Sequence, residues 1–375
     1  MSKMIFLDHT AKLGGAQFSL LDISSAFRDD CSVLLLGDGE FRRLLEQRDV
    51  EVDVFDMEAT LSPLKRDVKI RSVLKVSMSL FAYLLRLRKV LLTKDIIYTN
   101  SLKSFIISAL SILGRRKKIV LHLRDALTEE HFSKNVIRAT LMMAKLSRAQ
   151  IIANSLYTKN CFIEAGGNAD RCQVILNAID ESPFVNIEHI KFNNDFLKVL
   201  SLGRISPWKG QHILIEAIKN IPSIELKIVG SPNFGEDEYY ALLKSLVEKY
   251  GLTDRVSFVE FCINIYEHLE WSDVVVHTST SPEPFGRVVV EAMLAERIAI
   301  ASDSGGVPEI IPSPYFGIRI TPGEPEILAE QLRKIAVDKK GYKAIAKNGK
   351  VHAQEHFTLP ILISNMKEFF NNLKS

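Results

Sequence analysis

The densest chemistry in this chain lies between residues 281 and 291. There Ser281, Pro282, Glu283, Pro284, Phe285, Gly286 and Arg287 lead through three valines to Glu291. A loop carboxylate is followed eight positions later by a second one, with a Phe-Gly pair between them. Carboxylates accept hydrogen bonds from sugar hydroxyls, and a helix beginning near Gly286 offers free N-terminal amides to an anion. The pattern asks for a ligand carrying both hydroxyls and phosphates. Taken singly, Glu291 is a partner for a helix N-terminus and Glu283 a surface acid. With the run Ser302-Asp303-Ser304-Gly305-Gly306-Val307-Pro308-Glu309 downstream, they read as parts of one binding region.

A second segment, Gly203-Arg204-Ile205-Ser206-Pro207-Trp208-Lys209-Gly210, puts two cations five residues apart after an apolar run. Such a pair converges on a diphosphate, Arg204 as a planar fork and Lys209 as a point charge, or else remains two solvated surface cations. Near the N-terminus, Gly14 and Gly15 separate an apolar run ending at Asp8 from a helical pattern. Backbone N–H groups there can approach an anion; a turn without ligand is the alternative. The G-x-G-x-x-G fingerprint of dinucleotide sites is absent from this loop. His122, in His122-Leu123-Arg124-Asp125, closes another apolar run and reads either as a core histidine or as a catalytic group. Asn100, Arg124 and Asp125 close neighbouring runs, where ligands bind in open α/β sheets.

These residues are punctuated by a repeated βα rhythm. Continuous apolar runs at 4–7, 33–36, 52–55, 96–98, 119–123, 151–153 and 174–176 predict strands covered on both faces, and a second series follows at 197–202, 226–229, 256–259, 274–277 and 298–301. Helical stretches lie between them, as at 16–27, where Ala16, Leu20, Ile23 and Phe27 share a face. The pattern implies parallel sheets. The polar, Asn-rich segment 185–196 separates the two series. The expected domains are therefore 1–188 and 189–358, with a final helical segment at 359–375.

Composition agrees with this. The 375 residues suffice for two domains, and 47% hydrophobic with 25% charged residues describes a folded chain rather than a disordered one. Basic and acidic residues number 48 and 45, too even a balance to indicate nucleic acid. Cys31, Cys161, Cys172 and Cys262 form no C-x-x-C pair and no zinc spacing, so reduced thiols in a reducing, cytoplasmic compartment are expected. No apolar run reaches the length of a transmembrane helix, and the apolar stretch before Asp8 is too short for a signal peptide. Charge is uneven within the chain: residues 65–118 hold fourteen basic residues against Asp67 and Asp95. A basic amphipathic helix over 69–89 and the cluster Arg115-Arg116-Lys117-Lys118 suit either a solvated face or an anionic membrane surface.

With its motifs in this order, the chain resembles the retaining glycosyltransferases of the GT-B fold, family GT4. The likeness rests on Glu283-x7-Glu291, on Gly203, Arg204, Lys209 and Gly210, on Gly305-Gly306-x-Pro308-Glu309, on Gly14-Gly15, and on the run 174–180 with Asn177 and Asp180. Ala178 stands where the family often has Gly. The resemblance implies an α/β fold of two Rossmann-like domains facing across a cleft, with the C-terminal helix crossing back to the N-terminal domain.

The resemblance also implies roles. Arg204 and Lys209 would neutralise the donor diphosphate, and Glu283 would bind donor-sugar hydroxyls beside the Phe285 and Gly286 amides. Glu291 would hold the ribose, Phe261 would lie against the base, and the Gly14-Gly15 turn would meet the leaving phosphate. His122 becomes a catalytic candidate near the donor sugar. Asn100, Arg124 and Asp125 become acceptor-side candidates. The expected donor is UDP-glucose or another UDP-hexose, with GDP-mannose behind it. The expected acceptor is a glycan or lipid-linked molecule, and a peripheral position on the inner membrane face fits the basic stretch. No cofactor and no metal are expected, since no D-x-D stands in a strand-end loop and Glu236-Asp237-Glu238 reads as a helix start. The competing readings are a nucleotide-sugar epimerase or hydrolase of the same fold, and a non-catalytic nucleotide-sugar-binding partner subunit.

Overall fold

The computed structural model describes residues 3–56, 70–190, 192, 195–232 and 235–374, the side chains of 70–77 and 374 excepted. The chain divides into two compact units. One takes the chain up to Asn177 together with Leu362 onward, and the other runs from Ala178 to Ile361.

The first unit is a parallel sheet of seven strands, β1 (Met4–Asp8), β2 (Cys31–Leu35), β3 (Val52–Val54), β4 (Ile96–Thr99), β5 (Lys118–Leu123), β6 (Gln150–Ala153) and β7 (Cys172–Val174). Their order is β3-β2-β1-β4-β5-β6-β7. Residues of β1, β2 and β4 are buried on both faces, which explains their continuous apolar sequences. One face packs Leu7, Leu34, Ile97 and Leu121 against Phe105. On the other, Phe6 and Tyr98 meet Phe370 of the C-terminal helix Leu359–Lys374, at 6.1 and 6.2 Å between ring centroids. That helix starts in the second unit and ends in the first, the crossing-back that the resemblance implied.

The second unit repeats the plan with β8 (Leu197–Leu202), β9 (Ile224–Val229), β10 (Val256–Val259), β11 (Val274–His277), β12 (Ile298–Ser302) and β13 (Ile318–Ile320), in the order β10-β9-β8-β11-β12-β13. All pairings are parallel. Val199, Leu226, Ile228, Val276 and Ile300 form its core with Leu214 and Leu332. In both units the strand order reverses once, between β1 and β4 and between β8 and β11. A ligand crevice opens at the carboxyl ends of strands at such a point.

Strand bounds differ from the sequence expectation by up to two residues, as at β2, β7 and β9, and β13 was not expected at all. β13 is a three-residue edge strand whose middle residue, Arg319, is exposed, so it lacks the continuous apolar signal of the central strands. The four cysteines are free thiols. Among the described residues, no helix is long and apolar enough to cross a membrane.

Candidate active site

In the second unit, the loops leaving β8, β11 and β12 are fastened to one another by their backbones. Gly210 has φ 69° and caps the helix Gln211–Ile218; a Cβ there would lie 2.1 Å from the Thr278 carbonyl oxygen. Only glycine permits this approach. Thr278 Oγ1 donates to the Lys209 carbonyl at 3.1 Å, and the Thr280 amide donates to the Trp208 carbonyl at 2.8 Å. Gly305, with φ 64°, does the same on the other side: its Cβ would meet the Glu283 carbonyl oxygen at 2.1 Å, and the Gly306 amide donates to that carbonyl at 2.8 Å.

This fastening brings Lys209 Nζ onto Glu283 Oε1. His277 Nε2 donates to the same oxygen at 3.0 Å and Ser279 Oγ at 3.1 Å. Glu283 is only 8% exposed. Burial alone would raise its carboxyl pKa, but the Lys209 charge and the hydrogen bonds from His277 and Lys209 outweigh it and hold it well below the usual carboxylate range. Trp208 lies under both cations, with Lys209 Nζ 4.3 Å and Arg204 Cζ 5.4 Å from its ring centroid. Arg204 itself is exposed.

Gly286, with φ 109°, caps the helix Arg287–Leu294. The Phe285 ring is buried edge-on against Phe357, 5.9 Å between centroids, so this residue presents its backbone rather than its ring. Glu291 lies in the second turn of that helix, partly buried, with Arg287 Nε 3.7 Å from its Oε1. Phe261 follows β10. Its ring is exposed and its amide donates to Ser231 Oγ at 2.9 Å. The acidic run 236–238 does open a helix, Asp237–Lys249. Among the described residues, no three His, Cys, Asp or Glu side chains gather as a metal cluster.

The reversal point of the first unit carries a buried polar network. Asp8, at the end of β1, accepts from Asn100 Nδ2 at 2.7 Å and from Gln17 Nε2 at 3.0 Å. Asn100 Oδ1 accepts from Arg124 Nε at 2.8 Å. Arg124 also donates to Ser19 Oγ at 3.1 Å, to Tyr98 Oη at 3.2 Å and to Asn177 Oδ1 at 3.4 Å. Gly14 caps the helix Gly15–Ala26 in extended conformation, and Asp125 is exposed. Thus Asn100 and Arg124 are brought together, through a network in which Asp8, Gln17, Ser19 and Tyr98 were not among the expected site residues.

His122 lies in the first unit, one residue before the end of β5. It is fully buried, its Nδ1 is hydrogen-bonded to Tyr98 Oη at 2.5 Å, and its ring stands edge-on to Tyr98. Burial, with the nearby Arg124 charge, pushes its pKa well below the usual histidine value. The histidine set beside a candidate carboxylate is His277, which the sequence motifs did not single out. Its one sequence signal was its place as the last residue of an apolar run, six positions before Glu283.

The family described as Glycosyl transferases group 1 matches residues 185–352, and Glycosyltransferase Family 4 matches residues 39–182. The chain belongs to glycosyltransferase family 4. Its fold is the GT-B fold of two parallel-sheet α/β units. The crystal structure of Anabaena HepE in complex with UDP and glucose is 32% identical, with a TM-score of 0.86 over 99% of this chain and 100% of that one. HepE in complex with UDP-glucose is 31% identical with a TM-score of 0.84, covering 99% of this chain and 100% of that one. Spore coat protein SA of Bacillus subtilis is 32% identical over 42% of this chain and 44% of its own length. An uncharacterized glycosyltransferase of Methanocaldococcus jannaschii is 29% identical over 62% of each. The chain thus spans about half the length of these curated relatives.

Proposed function

We propose that this family 4 member moves a hexose from a UDP-hexose, UDP-glucose foremost, to a glycan or lipid-linked acceptor of the cell envelope, with retention and without a metal. One observation carries the reading. At the reversal point of the second sheet, Lys209 pairs with a buried, ionised Glu283, and Arg204 shares the face of Trp208 with Lys209. This is an arrangement suited to a ligand that is anionic at one end and hydroxylated at the other, and the similar HepE binds UDP and glucose.

In this reading Arg204 and Lys209 take up the charge that develops on the departing diphosphate, and preorganised charge of this kind is typically the largest catalytic contribution. Glu283 accepts donor-sugar hydroxyls, Glu291 accepts those of the ribose, and the exposed Phe261 ring faces the base. Gly14, Gly15, Asn100, Arg124 and Asp125 are the first unit's candidates for contacts with phosphate and acceptor. As the bond from the anomeric carbon to phosphate breaks, the acceptor oxygen bonds to that carbon on the same face. The leaving phosphate oxygen takes the acceptor's proton, so no protein nucleophile is needed.

The helix Ile70–Leu92 supports peripheral membrane contact. Met78, Phe81 and Leu85 form an exposed apolar row, with Arg86 and Lys89 exposed beside them and Arg115, Arg116 and Lys118 exposed nearby in sequence. The basic residues of the stretch between 65 and 75 lie outside the described side chains.

Release of UDP from UDP-glucose and other UDP-hexoses, with and without an acceptor extract and with and without EDTA, tests the reading. Acceptor-dependent release that survives EDTA is expected. Equal release without acceptor would indicate a hydrolase, absence of release a binding subunit, and loss under EDTA restored by Mg²⁺ or Mn²⁺ a metal-dependent reaction.

A further inference from the structure

Three donors converge on one oxygen of Glu283, and they differ in what holds them. Lys209 reaches Oε1 from a loop at the end of a long flexible stem. His277 reaches it from the last position of β11, a strand hydrogen-bonded between β8 and β12. Its ring is only 5% exposed, and Ser279 Oγ bonds both to its Nε2 and to Glu283 Oε1, at 3.1 Å each. Among the described residues His277 Nδ1 is buried with no hydrogen-bond partner, so the polar contacts of the ring are those of this cluster.

The difference matters once a donor binds. Lys209 must then serve the diphosphate, and a buried carboxylate that loses its cation is left costly and free to turn. A donor fixed on a strand stays. With Oε1 held by His277 and Ser279, Oε2 is the oxygen that meets the sugar.

We propose that His277 is a positioning residue for transfer: from β11 it fixes the Glu283 carboxylate so that its second oxygen receives a donor-sugar hydroxyl. This rests on the reading of Glu283 as the sugar contact.

The test compares His277→Leu, His277→Gln, Ser279→Ala and Glu283→Gln in the full chain, by turnover of UDP-glucose and by calorimetric binding of UDP. His277→Leu is expected to lower kcat roughly tenfold to a hundredfold, the scale of a misplaced reacting group, with UDP affinity within about twofold of native. His277→Gln, whose amide still donates, should recover most of the rate. Ser279→Ala, which needs no repacking of the strand, should give a smaller loss in the same direction. Three results overturn the proposal: native turnover in His277→Leu while Glu283→Gln is inactive, a parallel fall in UDP binding and turnover, or Gln as impaired as Leu. Native turnover in Glu283→Gln would instead overturn the reading of Glu283 itself.

Discussion

Lys209 and Glu283 neutralise each other before any ligand arrives, and this shapes what each substitution should do. Glu283 is buried and Lys209 nearly so, and a lost charged hydrogen bond at such a place costs about 2 kcal/mol. Arg204 is exposed and meets the Trp208 face. Replacement of either cation by alanine is expected to cut turnover by roughly a hundredfold, the loss typical of one transition-state donor. Only Lys209→Ala should also lower thermal stability. Because the folded Glu283 carboxyl lies below its unfolded value, the pair's contribution is full above the unfolded carboxylate range near ~4.3. It is lost as pH falls through the folded value, so the stability gap between wild type and Lys209→Ala should close in strong acid. Near-native rates in both variants would show that the two cations do not face the diphosphate. At this scale the sequence was unequally legible. Gly210, Gly286 and Gly305 are legible because a close backbone approach or a positive φ demands glycine and leaves it as a trace. His277 and Asp8 left no such trace, since each is one polar residue at a strand end whose meaning comes from partners elsewhere in the chain.

Among the elements, the central strands were legible because burial on both faces forces continuous apolar runs; β8 and β11 fall at the expected residues. β13 was not legible, because an edge strand with an outward Arg319 carries no such run. The helix Ile70–Leu92 shows a subtler limit. Its period was readable, but which side faces inward was not. In the structure Tyr83, Leu87 and Leu91 are buried while Met78, Phe81 and Leu85 are exposed. An apolar row outside, beside cations that each contribute about 1 kcal/mol at an anionic surface, leads to a prediction for this element. In co-sedimentation, the protein should pellet with phosphatidylserine vesicles and not with phosphatidylcholine vesicles. Added salt should weaken the binding, and either Phe81→Ser or glutamate at Arg115, Arg116 and Lys118 should reduce it. Equal pelleting with both vesicles, or none with either, would remove the membrane contact.

At the scale of the whole molecule, two sheets of the same winding each reverse once, and the candidate residues gather at those reversals: Asp8, Asn100 and Arg124 in the first unit, and Arg204, Lys209, His277 and Glu283 in the second. The repeated βα rhythm made this architecture legible from sequence. It did not reveal that the first reversal is packed with a buried network of the chain's own side chains, so the donor reading rests on the second. The measurement that tests it most directly is calorimetric titration of UDP into the wild type, Glu283→Gln and Glu291→Gln. The account predicts that the wild type binds UDP, that Glu291→Gln weakens binding about tenfold, equivalent to ~1.4 kcal/mol, and that Glu283→Gln binds UDP within about twofold of native while losing turnover of UDP-glucose. Absence of UDP binding in the wild type, or the reverse pattern between the two glutamates, would contradict it.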